Sequence, residues 1–246
     1  MKIAVAGGTG TVGAHVVASL AAAGHETVVL SRATGIDLTT GLGLADALRG
    51  VDAVVDASGP AGTGADKSKH FFGTVTRNLL DAENKAGVRH HIALSIIGAA
   101  AVDAGYYAGK RIQEDLVTAS DSNWTILRAA QFFEFAPMLV RTVKAGPFVL
   151  VPRMECQPIA ASEVGAALAA LAEGKPRGIV SDLAGPKLEN MADMVRRYLA
   201  GTGRSGRVVE VAPPGRWWQA LRDGSILPDV GARLGTETYE EWLGAL

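Results

Sequence analysis

Two residues near the middle of the chain have the types and the spacing for proton transfer. Tyr106 and Lys110 lie four positions apart in the stretch YYAGK, at the start of a segment that favours a helix. Four positions on a helix place two side chains on one face, about one turn apart. An ammonium group beside a phenol stabilises the phenolate and brings the phenol pKa from about 10 toward a useful range. The alternative is an aromatic anchor and a solvated lysine at the start of an ordinary helix.

A glycine-rich segment near the N-terminus has the pattern of a phosphate-binding turn. In GGTGTVG, Gly7, Gly10 and Gly13 are three residues apart, after a predicted strand and at the start of a predicted helix. Glycine permits a tight turn, the approach of a pyrophosphate to the backbone and close packing of the helix on the strand. Unpaired N–H groups and the positive end of the helix dipole then face the phosphates. A structural turn without a ligand is the alternative. The predicted dinucleotide-binding residues are Gly7, Thr9, Gly10, Thr11, Val12 and Gly13.

The end of the second predicted strand bears on which dinucleotide is bound. An acidic side chain about 20 residues after the glycines would accept a hydrogen bond from the ribose 2′-OH of NAD. This chain has Ser31 and Arg32 there instead. A guanidinium binds a 2′-phosphate bidentately, and an adjacent hydroxyl adds a donor. The pair favours NADP(H), whereas NAD(H) is accepted equally if Arg32 is only a solvated loop residue.

Two further segments lie at strand ends where a dinucleotide would extend. Asp37 can accept from the adenine amino group, or it can cap a turn or helix. Ala57 and Ser58, followed by Gly59, leave room for the cofactor beside the sheet. We therefore include Asp37, Ala57 and Ser58 among the expected cofactor-binding residues.

The elements that must position these residues alternate between strands and helices. KIAVA, ETVVL, DAVVDA, HIALS and WTILR are short β-branched and apolar runs, and helical segments are predicted at 11–23, 41–49, 65–86 and 107–120. This order predicts an α/β fold with a Rossmann-type, doubly wound parallel sheet. Residues 1–128 are the expected NADP-binding core. Residues 129–246, with helices expected at 131–143, 162–173, 188–200 and 237–243, are expected to be a small substrate-side elaboration that partly returns to the sheet.

Composition excludes several classes of function. With 48% apolar residues and a net charge of −1, the chain has no excess of positive charge to hold a nucleic acid. The only cysteine, Cys156, cannot form an internal disulfide, and no Cys and His spacing suggests a metal site. No apolar run reaches the length of a membrane span or a signal peptide. We expect a cytoplasmic monomer or homodimer with a small-molecule substrate, no metal, no nucleic acid and no membrane.

Longer segments resemble a known family. VAGGTGTVG, GVDAVVDASG, GTVTRNLLDAENKAGVRHHIALS, YYAGKRIQEDLVTASDSNWTILRAAQFFEF and PIAASEVGAALAAL are similar to atypical short-chain dehydrogenase/reductases, in particular the NmrA-like NAD(P)H-binding branch. The resemblance covers nearly the whole length. Members of this branch reduce quinones, dyes, imines or phenylpropanoid-type double bonds, and some bind NADP(H) only to report redox state.

The resemblance implies roles for three residues. Tyr106 would donate a proton to a substrate carbonyl, and Lys110 would lower the tyrosine pKa and hold the nicotinamide ribose. Ser95, at the end of HIALS, would hydrogen-bond the substrate oxygen. Tyr107 is the alternative proton donor, and His70 takes the place of the asparagine found in the classical set.

The chain after WTILR, the fifth predicted strand, is rich in aromatic residues. Such residues line pockets for flat apolar ligands, although they more often form core. The expected substrate-binding residues are Phe132, Phe135 and Trp217. The favoured function is an NADPH-dependent reductase of a quinone-like or ketone-like substrate. A non-catalytic NADP(H) redox sensor and a nucleotide-sugar epimerase or dehydratase are the alternatives.

Overall fold

A computed structural model describes residues 1–60 and 62–246. Numbered along the chain, its strands and helices are β1 (Lys2–Ala6), α1 (Thr11–Ala22), β2 (Glu26–Leu30), α2 (Leu44–Ala47), β3 (Ala53–Asp56), α3 (Ala65–Ala86), β4 (His90–Ile96), α4 (Gly105–Thr118), β5 (Trp124–Ala129), α5 (Phe135–Thr142), β6 (Lys144–Ala145), β7 (Phe148–Pro152), β8 (Glu155–Cys156), α6 (Ala161–Glu173), β9 (Gly178–Ile179), β10 (Leu183–Ala184), β11 (Glu189–Asn190), α7 (Met191–Gly201), β12 (Arg207–Val211), α8 (Arg216–Ala220), β13 (Arg233–Leu234) and α9 (Tyr239–Gly244). A short 3₁₀ turn, Arg32–Thr34, follows β2. Among the described residues, no helix is long and apolar enough to cross a bilayer.

The chain divides into two compact units. The first comprises Met1–Arg128 and Ser162–Ser181. Its strands run in the order β2, β1, β3, β4 and β5, with β9 beside β5. The pairings of β1 with β2, β1 with β3, β3 with β4 and β5 with β9 are parallel. Because the strand order reverses between β1 and β3, the crevice at their carboxyl ends is where open α/β sheets bind ligands.

The core of the first unit follows from the apolar runs of its strands. Strands β1 and β3 are almost fully buried, as expected for strands covered by helices on both faces. One cluster of buried side chains joins the sheet to α2 and α3; it includes Leu30, Leu44, Leu48, Val54 and Leu79. The predicted Rossmann-type fold is confirmed.

The second unit comprises Ala129–Ala161 and Asp182–Leu246. It contains a sheet in which β7 lies between β6 and β12, and a parallel pair formed by β10 and β13. Phe133 is 1% exposed and its ring contacts Tyr239 at 5.4 Å and Trp242 at 5.9 Å between centroids. This part of the aromatic-rich stretch therefore forms core.

Element boundaries agree with the predictions to different degrees. KIAVA, ETVVL and the helix at 65–86 have the predicted bounds. The helix predicted at 41–49 is shorter, because Leu42 pairs with Asp37 in an isolated antiparallel bridge and α2 begins only at Leu44. The helix predicted at 131–143 begins at Phe135, because Phe132 pairs with Ile159 in a parallel bridge.

Candidate functional site

The glycine turn between β1 and α1 is built by close backbone approach. Gly7 has φ of 74°, and a Cβ there would lie 2.8 Å from Cα of Ser58, at the end of β3. A Cβ on Gly13 would lie 2.1 Å from the Gly7 carbonyl oxygen. Only glycine fits at either position without moving backbone. The turn is thus pressed against the carboxyl end of the neighbouring strand.

The N-terminus of α1 is open to a ligand. Gly10 is its N-cap, no side chain caps it, and no acidic residue lies in its first turn. Thr9, Gly10 and Thr11 are exposed, while Val12 is buried and packs the helix on the sheet. Uncapped N–H groups and the positive end of the helix dipole attract an anion such as a pyrophosphate.

The end of β3 carries a further polar group beside this turn. The Ser58 backbone N–H donates to Oδ1 of Asp56 at 3.0 Å, and the Ala57 N–H donates to the Ala6 carbonyl. Ser58 is 4% exposed, and its Oγ has no hydrogen-bond partner among the described residues. Buried hydroxyls are ordinarily paired. An unpaired Oγ against the glycine turn fits a site whose polar ligand supplies the missing partner.

The end of β2 presents a cation. Arg32 is exposed at the start of the 3₁₀ turn. Ser31 is largely buried, and its hydroxyl and backbone N–H both contact Oγ1 of Thr34. Asp37 forms a local turn in which Oδ1 accepts from the backbone N–H and hydroxyl of Thr39, at 2.8 and 2.6 Å. These bonds, with a smaller contribution from Arg32, lower the pKa of Asp37.

Tyr106 reaches the same edge of the sheet. It is partly buried, and its ring meets that of Phe72 edge-on at 5.4 Å between centroids. A Cβ on Gly59 would lie 3.5 Å from the Tyr106 hydroxyl oxygen. Gly59 follows Ser58, so the hydroxyl lies beside the segment that leaves β3. Tyr107 is 4% exposed and belongs to the core.

Lys110 lies deeper than Tyr106. It is 2% exposed, and its Nζ donates to the Leu94 carbonyl at 2.6 Å and to Oε1 of Gln113 at 2.8 Å. Nζ also lies 4.2 Å from the centroid of the Phe72 ring and 5.9 Å from that of Tyr106. Burial lowers the pKa of Lys110 to about 8, although Asp56 and Glu114 oppose the shift.

The expectation that Lys110 lowers the phenol pKa is wrong for this structure. Burial, together with unfavourable charge interactions with Asp56 and Tyr107, raises the pKa of Tyr106. The physical reason is that the ammonium group is directed to Leu94 and Gln113, while the phenol lies in a poorly solvated place near a carboxylate. Tyr106 therefore keeps its proton at neutral pH.

Ser95 is tied to an ion pair. Its hydroxyl donates to Oε1 of Glu114 at 2.5 Å, and Glu114 accepts two bonds from the Arg128 guanidinium, at 2.9 and 2.6 Å. A hydroxyl has a single proton. With that proton given to Glu114, Ser95 offers only lone pairs to any other group.

The structure places the other predicted residues on α3 and in the second unit. His70 is exposed on α3. In the second unit, Phe132 forms the bridge with Ile159, Phe135 begins α5 and Trp217 lies in α8, and all three are partly buried. Their role in substrate binding stays a prediction.

Sequence reasoning missed the partners that hold the cluster together. Asp56, Gln113 and Glu114 surround Lys110 and Ser95. Gln113 follows Lys110 by three positions on one helix, a spacing that could have suggested the contact. No local pattern in the sequence marks Asp56 as the second hydrogen-bond partner of Gln113.

Comparison with known proteins places the chain in a class. Residues 7–173 match the NAD(P)H-binding family, and the chain belongs to that family. This match confirms the NAD(P)H-binding family that the resemblance implied.

Individual relatives share less than a third of their residues with this chain over the matched regions. Over 149 residues the chain is 28% identical to photosystem II assembly factor Ycf39 of Synechocystis sp.. The matched region covers 54% of this chain and 46% of that protein. The match thus spans about half the length of that relative. The UDP-glucose 4-epimerase of Thermus thermophilus in complex with NAD is similar over 100% of both chains, with a TM-score of 0.74 and 18% identity. A short-chain dehydrogenase/reductase superfamily protein of Agrobacterium tumefaciens with bound NAD has a TM-score of 0.69 and 19% identity, over 100% of this chain and 95% of that one. These two likenesses show the fold.

Proposed function

We propose that the protein is an NADPH-dependent reductase of a small apolar or aromatic substrate, quinone-like or ketone-like. The observation that carries this proposal is the position of the Tyr106 hydroxyl, beside Gly59 at the edge of the sheet that also bears the glycine turn. A proton donor at the ligand-binding edge of a dinucleotide fold is what carbonyl reduction needs.

The glycine turn and its surroundings fit a dinucleotide. The N–H groups of α1 would hold the pyrophosphate, the unpaired Oγ of Ser58 would bond the cofactor, and the remaining N–H of Lys110 would face the ribose. When bound, a reduced nicotinamide supplies a hydride. The side chains of the site therefore need to supply only a proton, because the hydride comes from the nicotinamide.

Tyr106 supplies the proton. Because its pKa is raised, the phenol remains protonated through neutral and alkaline pH and can donate its proton to a substrate oxygen that gains negative charge. Ser95 gives its only proton to Glu114, so it has no donor left for the oxygen of a quinone or ketone, and the expected hydrogen bond from Ser95 to the substrate oxygen is not part of this proposal. This favours Tyr106 as the single donor to the substrate oxygen.

Arg32 supports a preference for NADPH over NADH. Arg32 is an exposed cation at the end of β2. It attracts the Asp37 carboxylate only weakly, and that carboxylate accepts its hydrogen bonds from Thr39. We predict that Arg32→Ala weakens NADPH binding by about tenfold or more and leaves NADH binding nearly unchanged, because it removes a charge-assisted contact to the 2′-phosphate. Calorimetric titration with both dinucleotides checks this.

Arg49→Ala is the matched control for that titration, since Arg49 is an exposed arginine of the same unit that pairs with Asp46. Equal losses of NADPH affinity in both variants would show a general charge effect and would remove the assigned preference. Failure of the wild type to bind either dinucleotide would overturn the proposed function.

A non-catalytic redox sensor is the second candidate. It is favoured by the commitment of the Ser95 proton to Glu114 and by the raised pKa of Tyr106, since both make a weaker acid set for turnover. A sensor would bind NADPH and NADP with unequal affinity and consume no NADPH with any quinone or ketone. The structural similarity to a UDP-glucose 4-epimerase supplies a third candidate, a nucleotide-sugar epimerase, which is tested by adding UDP-glucose with NAD.

A further inference from the structure

A chain of buried hydrogen bonds runs from Lys110 to the end of β3. Nζ of Lys110 donates to Oε1 of Gln113 at 2.8 Å, and Nε2 of Gln113 donates to Oδ2 of Asp56 at 2.8 Å. The other carboxylate oxygen of Asp56 accepts from the Ser58 backbone N–H. Lys110 is 2% exposed, and Gln113 and Asp56 are 0% exposed. The chain therefore connects an ammonium in α4 to the strand end that meets the glycine turn.

The carboxamide of Gln113 can bridge these two charges in one orientation only. Its oxygen faces the ammonium and its NH₂ faces the carboxylate, so each end meets its complement. Reversing the carboxamide would set donor against donor and acceptor against acceptor. An ammonium and a carboxylate buried at this depth each need such a partner, because an unpaired buried charge is costly.

Lys110 retains limited capacity for a ligand. An ammonium has three N–H donors, and Leu94 and Gln113 take two of them. The third is left for a ligand hydroxyl or for the face of the Phe72 ring, 4.2 Å away. The direction of that third donor is therefore set by where the first two are held.

We propose, resting on the function proposed above, that Asp56 and Gln113 are positioning residues for Lys110. Through the Gln113 carboxamide, Asp56 keeps the ammonium charged and aimed at the ribose of the dinucleotide. Neither residue needs to touch the cofactor or the substrate. Together they set the pH range over which the dinucleotide binds.

The groups that face Lys110 determine how readily it stays protonated. Strand β3 contributes the Asp56 carboxylate, and β4 contributes the Leu94 carbonyl. The Ser95 hydroxyl of β4 acts on Lys110 only indirectly, because it is bonded to Glu114. From α3 comes the Phe72 ring, which does not titrate. On α4 itself, Glu114 adds a negative charge and Tyr106 is neutral. Of the two carboxylates, only Asp56 is joined to Lys110 through Gln113.

The test measures the NADPH dissociation constant as a function of pH, from about 6.5 to about 9.5. In the wild type, affinity falls as pH rises through about 8, where Lys110 loses its proton. In Asp56→Asn and in Gln113→Leu, we expect the midpoint of this loss to fall by about one pH unit or more, because the ammonium loses a stabilising carboxylate or its bridge.

Gln113→Glu gives the opposite sign. A carboxylate bonded directly to the ammonium should move the midpoint upward in pH, a result that a merely structural role for Gln113 does not produce. Glu83→Gln is the matched control, since Glu83 is also a buried carboxylate of the first unit but is paired with His91. Its midpoint should equal that of the wild type.

A titration of Lys110 without ligand completes the test. In protein labelled with ¹⁵N-lysine, the Lys110 signal is assigned by its loss in Lys110→Met, and its titration should move in the same directions in the variants. If wild type binds NADPH but the midpoints and the Lys110 titrations coincide in wild type, Gln113→Leu and Gln113→Glu, the positioning role is refuted and the reductase proposal stands. If the wild type binds neither dinucleotide at any pH, both are refuted.

Discussion

At the scale of single residues, the site differs from a simple tyrosine and lysine pair. Lys110 donates to the Leu94 carbonyl and to Gln113, while the Tyr106 hydroxyl lies beside Gly59 and is the proposed proton donor. Ser95 is bound to Glu114, which is held in turn by Arg128. Lys110 and Ser95 are thus each fixed by a partner of their own. In the proposed function, proton donation and positive charge belong to different residues.

The Ser95 hydroxyl provides a prediction at this scale. Because its only proton goes to Glu114, Ser95→Ala should lower the turnover of NADPH by less than about tenfold, which is well below the usual worth of a proton donor. Steady-state kinetics with a quinone acceptor measure this. A loss of about a hundredfold or more would mean that the hydroxyl turns from Glu114 to the substrate during the reaction.

At the scale of elements, α3 and α4 bring Phe72 and Lys110 together. Gly109 in the YYAGK stretch makes their contact close, since a Cβ there would lie 2.6 Å from the Ser68 carbonyl carbon and 2.7 Å from the Phe72 ring. The helix pair therefore depends on a residue without a side chain. The position of Lys110 depends on the same contact.

Gly109→Ala tests this dependence. We expect it to lower the free energy of unfolding by about 1–3 kcal/mol, because the added methyl group meets backbone atoms that cannot move cheaply. Urea denaturation provides the measurement. Gly73→Ala in α3 is the control: a Cβ there meets the ends of Arg77 and Ile112, at 3.3 and 3.5 Å, and helix propensity favours alanine by about 1 kcal/mol. Equal stability losses in the two variants would contradict the close contact at Gly109.

Local patterns explain what could be predicted from the sequence at this scale. The strands and α3 follow from apolar runs and helical spacing, and the glycine turn follows from steric demands within a few residues. The contact between Asp56 and Gln113 joins residues 57 positions apart. It arises when α4 packs against the sheet, and neither residue type nor spacing announces it. The direction of the Tyr106 pKa shift could not be predicted either, because burial of the side chain decides whether the pKa rises or falls.

At the scale of the whole molecule, the buried charge makes stability depend on pH. Lys110 has a folded-state pKa of about 8, below the usual value of about 10.4 in an unfolded chain. Between these values the unfolded state binds more protons, so this group makes the folded protein more stable as pH rises. Below pH 8 the ammonium is charged in both states and its burial cost is fully present.

The corresponding prediction compares wild type with Lys110→Met. From about pH 7 to about pH 9.5, the free energy of unfolding of the wild type should rise relative to the variant by about 2 kcal/mol. Denaturant titrations at both pH values check this, and the ionisation of groups that do not interact with Lys110 cancels in the difference. A difference that stays constant with pH would show that Lys110 is not a buried titrating group.

A single kinetic comparison tests the proposed donation of a proton by Tyr106 to a substrate that NADPH reduces. The loss of reduced-nicotinamide absorbance is followed with a panel of quinones and aromatic ketones, for wild type and Tyr106→Phe at equal saturation with NADPH. We predict acceptor-dependent oxidation of NADPH by the wild type and a loss of about 10²–10⁴ in rate in the variant, with NADPH binding retained. An unchanged rate in Tyr106→Phe, or NADPH binding without oxidation by any acceptor, would contradict the claim.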